Sequence, residues 1–258
     1  MDNNKPNKIR LDTLLVEKSL AQSRERAQAL IMAGSVLVNG LVVDKAGTRV
    51  NADAEISFKG SGKNRDGDIP FVSRGGLKLA KALEHLQLDV TGMICLDIGA
   101  STGGFTDCLI QSGAQKVYAV DVGYGQMDWS LRQNPKVVVI ERTNIRHMSY
   151  ETIGETVDLI TVDTSFISLK IVVPAAEKFM RSGTLIFALI KPQFEAGKER
   201  IGKGGIVRDP AVRADIVKEI ELFFSQRGYY IDDIIESPVK GQKGNVEFII
   251  AMRYVNMQ

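Results

Sequence analysis

Between residues 93 and 253 the chain carries seven short apolar runs of strand length, most of them separated by stretches with helical spacing. The runs fall at 93–99 (MICLDIG), 116–122 (KVYAVDV), 136–141 (KVVVIE), 157–163 (VDLITVD), 184–191 (TLIFALIK), 230–237 (YIDDIIES) and 246–253 (VEFIIAMR). A strand apolar along nearly its whole length leaves no face for water, so both faces of its sheet must be covered. Strand and helix in alternation therefore predict an α/β fold with a mostly parallel, doubly wound sheet of Rossmann-like type. No helical stretch separates the last two runs, which are expected to pair as antiparallel neighbours at one edge.

The first run leads into LDIGASTGGFTDCLI, a glycine-rich turn that opens a helix. In doubly wound folds a nucleotide-like ligand sits at this turn, because glycine lets the backbone approach it closely. The dinucleotide fingerprint started at Gly99 would need glycine at position 101, which is Ser101, and the Gly-Lys-Ser/Thr ending of a phosphate loop is absent. Asp97, just ahead of the glycines, would repel a pyrophosphate and welcome a cation. That favours S-adenosylmethionine, held by Asp97, Gly99, Ser101, Thr102, Gly103, Gly104 and Phe105, with Asp121 at the end of the second run placed for a ribose diol and Val122 beside it on the cofactor. Asn144 and Ile145 after the third run are expected to flank the adenine. The plainer reading makes the glycines an ordinary turn, Asp97 a helix cap and Asn144 a turn residue.

A parallel sheet delivers the last residue of every strand to one rim. Asp163 and Lys191 end their runs there, Glu247 starts the reversed last strand at the same edge, and Lys78 lies in SRGGLKLAKALEHL, a helix that leads back into the first strand. Methyl transfer to a sugar hydroxyl needs a base, because the hydroxyl does not ionise at neutral pH. Lys191 is the candidate base. Lys78 would hold the nucleotide, Asp163 would orient the lysine amine near the methyl group, and Glu247 would fix Lys78 or the ribose. Taken singly, each residue reads better as half of a surface ion pair, and it is their meeting on one rim that favours a site. After Lys191 comes PQFEAGKERIGKGGIVRDP, whose Lys198, Arg200, Lys203 and Arg208 suit either a flap for a phosphate backbone or a solvated loop.

The opening sixty residues read differently. LDTLLVEKSL and SRERAQALIMAG have helical spacing, the second with Ser23 as its cap and Gly34 at its close; Asn39-Gly40 between apolar runs signals a hairpin, and AEISF a further strand. A Gly, Ser and charge-rich stretch follows, giving a predicted small α+β domain at 1–60, a linker at 61–74 and a catalytic domain at 75–258. The overall charge of +2 is uneven: residues 1–65 hold 11 Lys+Arg against 7 Asp+Glu, leaving 22 against 24 in the rest. A basic appendage on a near-neutral domain points to a polyanion.

These motifs together resemble the RNA ribose 2′-O-methyltransferases of the FtsJ type, which use a Lys-Asp-Lys-Glu tetrad, and more closely the TlyA family, whose members carry hemolysin labels. VSRGGLKL carries Lys78, DIGASTGGFT the cofactor loop, VDTSFISL Asp163, IKPQFEAGK Lys191 and NVEFI Glu247; RLDTLLVEKSLAQSRERAQALIMAGSVLVNG looks like the small RNA-binding fold of a ribosomal protein. The resemblance covers nearly the whole chain. It implies a cytidine 2′-O-methyltransferase acting on ribosomal RNA, with Arg10, Arg24 and Arg26 against phosphates and Lys198, Arg200 and Lys203 on the RNA as well.

Other classes fit less. Two cysteines and no Cys/His cluster speak against zinc, so no metal is expected. No apolar stretch reaches the ~18 residues of a bilayer span, and MDNNKPNKIR lacks a signal-peptide core, so a cytoplasmic protein is expected and a pore-forming hemolysin is not. A non-catalytic RNA-binding or ribosome-assembly factor remains the alternative. A pseudouridine synthase would share the first domain but has no use for the cofactor loop.

Overall fold

The computed structural model describes residues 8–18, 20–21, 23–32, 34–58, 69–202, 204–241 and 244–255. The chain divides into two compact units, Met1–Asp68 and Ile69–Gln258. Residues 61–68 of the expected linker lie outside the described residues.

The first unit runs β1 (Lys8–Arg10), α1 (Leu11–Glu17), α2 (Arg24–Met32), β2 (Val36–Val38), β3 (Leu41–Val42), β4 (Arg49–Asn51) and β5 (Ile56–Phe58). Asn39 and Gly40 both take positive φ, 49° and 78°, which is what a two-residue turn matched to the twist of its strands requires, and it sets Val38 opposite Leu41. β5 pairs with the other side of β2. Leu11, Leu15, Ala27, Ile31 and Val36 close the core between helices and sheet. Nothing in the residue pattern signalled the β1–β4 ladder, two three-residue strands in antiparallel register with Arg10 opposite Arg49.

The second unit continues with α3 (Gly75–His85), β6 (Ile94–Ile98), α4 (Gly104–Gln111), β7 (Lys116–Val120), α5 (Trp129–Arg132), β8 (Val137–Ile140), β9 (Leu159–Val162), α6 (Leu169–Ala175), β10 (Leu185–Ile190), α7 (Pro192–Glu195), α8 (Pro210–Gln226), β11 (Tyr229–Glu236) and β12 (Phe248–Tyr254). The sheet has seven strands in the order β11-β12-β10-β9-β6-β7-β8. β6 to β10 pair in parallel, and β12 runs antiparallel to both β10 and β11. Separate apolar clusters pack on the two faces: Ile160, Ile186, Ile220 and Phe224 on one, Leu79, Leu109, Leu159 and Phe187 on the other. That is the double coverage implied by continuously apolar strands.

Strand order and register place the polar rim. β6 lies between β7 and β9, so chain connections leave it in opposite directions and a crevice opens at its carboxyl end. Ile190, the last residue of β10, pairs with Phe248, the first of β12, so Lys191 and Glu247 emerge side by side at that end.

Candidate active site

The loop after β6 owes its shape to residues with φ above zero. Gly99 (φ 85°), Ser101 (φ 49°) and Gly103 (φ 95°) curl the chain back on itself before α4 begins at Gly104. A Cβ on Gly99 would lie 2.6 Å from the Asp163 carbonyl oxygen, and one on Gly104 would strike Ser73, so both positions need glycine. Two carboxylates brace the loop. Asp121 accepts from Ser101 N at 2.8 Å and Gly123 N at 2.6 Å. Asp97 is 0% exposed beneath it and accepts from the hydroxyls of Thr106 (2.7 Å) and Thr161 (2.9 Å). Burial pushes the Asp97 carboxyl up to about 6 against the pull of those two hydroxyls.

A cavity of about 370 Å³ opens above this loop, within the size range of small-molecule sites. Gly99, Ser101, Thr102, Gly104 and Phe105 line one side, and Lys78, Asp163, Lys191 and Glu247 all reach it. The four charged residues form two pairs. Lys78 Nζ donates to Glu247 Oε2 at 2.7 Å, both nearly buried, and Lys191 Nζ sits 2.5 Å from Asp163 Oδ1 and 3.2 Å from Ser165 Oγ. Lys191 ends its strand as the cap of α7, with Pro192 in the first helical position, where a missing N–H goes unnoticed.

Several of the residues expected to contact the cofactor do not line this cavity. Asp97 is covered by the loop and Asp121 faces its backbone; neither lines the cavity. Val122 is exposed, Ile145 is packed in the core, and Asn144 accepts from Arg146 N at 3.1 Å as a turn residue does. In the basic stretch after α7, Arg200 is held by Glu219 at 2.6 Å, and Gly202 N donates to the Ile206 carbonyl to close a small hairpin. Lys203 lies outside the described residues, as do the side chains of Lys198 and Arg26. Arg10 and Arg24 of the first unit both donate to Asp12.

Sequence reasoning missed the residues that join the two rim loops. Phe166 lines the cavity at 88% exposure with φ 64°, its ring 4.8 Å from that of Phe194. Glu195 accepts from Ser168 Oγ at 2.5 Å and Leu169 N at 2.8 Å, and burial raises its carboxyl above the usual range. The two phenylalanines inside motifs already singled out were the available signal; the exposure of one of them was not readable.

Residues 71–254 match the FtsJ-like methyltransferase family, and residues 9–56 match the S4 domain. The chain is a TlyA-type member of the FtsJ-like methyltransferase family. The TlyA protein of Mycobacterium tuberculosis, named a 16S/23S rRNA (cytidine-2′-O)-methyltransferase, is 44% identical over 246 residues, 95% of this chain and 90% of that one. YqxC of Bacillus subtilis, a candidate rRNA methyltransferase by name, is 46% identical over 248 residues, 96% and 86% of the two chains. Among solved structures, a candidate hemolysin from Streptococcus thermophilus superposes with a TM-score of 0.71 at 39% identity, covering 98% of this chain and 90% of that one. Among the described residues of this methyltransferase no helix is long and apolar enough to cross a membrane.

Proposed function

We propose that the chain transfers a methyl group from S-adenosylmethionine to a ribose 2′-hydroxyl of ribosomal RNA, at a cytidine. The observation that carries this reading is the convergence of Lys78, Asp163, Lys191 and Glu247 on the cavity that the glycine loop borders. The names of the relatives supply the substrate. When bound, S-adenosylmethionine supplies an electrophilic methyl on a sulfonium.

The residues present fit such a ligand. Gly99 and Gly104 let the loop pack against Asp163 and Ser73 so that it can border the cavity, and the Gln193 amide oxygen, on an α7 residue that lines the cavity, is buried with no partner among the described residues. Ser101, Thr102 and Phe105 with the loop backbone would hold the nucleoside portion, and Asp163 would face the cationic end. Asp97 and Asp121 act one layer back, by fixing the loop's conformation.

Once it has given up a proton to solvent and is a neutral amine, Lys191 Nζ would take the proton of the attacking hydroxyl. Asp163 and Ser165 fix where that amine points, and proximity so arranged is worth far more than the same groups free in solution. Lys78, held by Glu247, presents its ammonium to the substrate nucleotide. Exposed Phe166, backed by Phe194, offers a flat apolar face for a base. The S4 unit, by the reading of the sequence, brings the RNA.

The test is transfer of labelled methyl from S-adenosylmethionine to purified ribosomal subunits, followed by digestion to nucleosides. Label in 2′-O-methylcytidine supports the reading. Absence of label in both subunits and in free ribosomal RNA would return the chain to a binding factor without this chemistry.

A further inference from the structure

We propose that Asn245 is a positioning residue: it fastens the hairpin of the basic stretch after α7 to the β11–β12 turn, so that RNA held on the hairpin and the Lys78–Glu247 pair keep one register. This inference rests on the RNA substrate of the proposed function.

A buried carboxamide has two donor hydrogens and an acceptor oxygen to satisfy. Asn245 is 4% exposed, and both ends of its amide address the backbone of a segment 38 and 40 residues earlier in the chain. Oδ1 accepts from Val207 N at 3.2 Å, and Nδ2 donates to the Gly205 carbonyl at 3.1 Å. The side chain thus pairs with the hairpin much as a neighbouring strand would. Aspartate at this position would bring only acceptors, and alanine neither kind of group.

The hairpin needs such a tie. Gly202 N donates to the Ile206 carbonyl at 3.1 Å and Gly205 N to the Gly202 carbonyl at 3.1 Å, while Gly204 and Gly205 turn the chain with φ of 85° and 77°. The three glycines are exposed, and Val207 is the buried residue of this segment. Glycine has the most backbone freedom to lose, so a run of this kind does not hold its place unaided. Arg213 secures the far end, donating to the carbonyls of Val207 and Arg208 at 3.1 and 2.9 Å. Arg208 is exposed with no acidic partner among the described residues, which leaves its guanidinium for the RNA backbone.

On its other side Asn245 belongs to the turn that shapes the buried ion pair. Its carbonyl accepts from Gly241 N at 2.9 Å, and two residues on, the Glu247 carbonyl accepts from Ser237 N at 2.9 Å. The turn lies so close to the Glu247 side chain that a Cβ on Gly241 would strike Oε1. Oε2 of the same carboxylate receives Lys78 Nζ at 2.7 Å. Val239, Lys240 and Gly241 of this turn line the cavity. A shift of the hairpin against the turn is therefore a shift of the RNA against Lys78 and Glu247, and a misplacement of about 1 Å can cost roughly a hundredfold in rate.

The experiment is single-turnover methyl transfer to purified ribosomal subunits at saturating RNA, with each protein counted by the stoichiometry of S-adenosylmethionine it binds in calorimetry. Asn245→Ala should bind the cofactor with wild-type affinity and transfer methyl about tenfold to a hundredfold more slowly per bound cofactor. A purely structural role would instead lower the fraction that binds cofactor and leave the rate per bound cofactor unchanged. Asn245→Asp keeps the acceptor for Val207 N but sets a second acceptor against the Gly205 carbonyl, and it should be slowed in the same range. In a Glu247→Gln background, itself slow, Asn245→Ala should cost less than about threefold further, because it acts through that residue.

A wild-type rate per bound cofactor in Asn245→Ala overturns the proposal, as does a loss that adds in full to that of Glu247→Gln. Should Asn245→Ala fail to fold by thermal melting, Asn245→Asp decides alone, and a wild-type rate in that variant overturns it. If the wild-type chain labels no subunit RNA, the functional reading falls and takes the proposal with it; a labelling wild type with unaltered variants overturns only the proposal.

Discussion

Lys191 and Asp163 face each other from the ends of two adjacent parallel strands, joined Nζ to Oδ1 at 2.5 Å. Three further ties link the loops they begin: Lys191 to Ser165, the ring of Phe194 to that of Phe166, and Glu195 to Ser168 and Leu169. The two loops are therefore one clamp at the mouth of the cavity, and the orientation of the lysine amine is a property of both.

Lys191→Ala should lower methyl transfer by about 10²- to 10⁴-fold, the usual span for losing a general base, while calorimetric binding of S-adenosylmethionine changes little. Asp163→Asn should lower the rate and weaken cofactor binding together, since the proposed function uses Asp163 for both. Near wild-type turnover by the Lys191 variant would remove that residue from the chemistry and leave Lys78 as the remaining lysine of the two ion pairs at the cavity.

Glu195→Ala strips an acceptor from a backbone N–H and a hydroxyl at the start of α6. An orphaned group of this kind costs about 1 to 3 kcal/mol, so Tm should drop by roughly 2 to 12 °C for a domain of this size. Glu195→Gln keeps one acceptor oxygen and should recover most of the loss. Because the clamp loosens, kcat should fall in the alanine variant even at a temperature where it is fully folded. An alanine variant that melts with the wild type would show that the tie is not used.

Lys78 and Glu247 are nearly buried, and removing one of such a pair strands the other. Glu247→Ala should destabilise by about 3 kcal/mol in urea titration, whereas Lys78→Met combined with Glu247→Leu should regain much of that. The double variant should stay inactive. A double variant no more stable than Glu247→Ala would mean that the pair contributes to folding in some way other than mutual neutralisation.

What was legible in the sequence was whatever the strand period and the turn chemistry fix. The runs read at 93–99 and 184–191 became β6 and β10 within a residue or two, and Asn39-Gly40 made its hairpin, because each signal is local. The rim residues could be read because a parallel sheet sends every strand end to one side. Asp97 shows where this stops. Its position ahead of the glycines suggested a ligand contact, but the hydroxyls that claim it come from Thr106 and from Thr161 on a neighbouring strand. The β1–β4 ladder was silent for the same reason: three residues pair with three others some forty positions away, and neither run is long enough to show a period. In the basic stretch after Lys191, composition left a flap and a solvated loop equally open, because α7, the Arg200–Glu219 pair and the Gly202–Ile206 bridge depend on partners that composition does not reveal.

Buried Asp97 gives the catalytic unit a pH dependence whose direction follows from its environment. Its carboxyl is raised from 3.8 to about 6, mainly by burial, so the folded chain binds a proton more tightly than the unfolded chain does. Stability from this group is fully present below the unfolded value and is lost as pH rises through about 6, a difference on the order of 3 kcal/mol. Other carboxylates, such as Asp12, are lowered by their arginines and push the opposite way at more acid pH, so the contribution must be isolated by substitution. Asp97→Asn is neutral throughout and can still accept one of the two hydroxyls. Relative to wild type, its Tm should be steady or higher at pH 8, with the advantage shrinking as pH falls toward about 4.5. A difference between the two proteins that does not vary over that interval would show that Asp97 is already ionised there, stabilised by Thr106 and Thr161 more strongly than burial opposes.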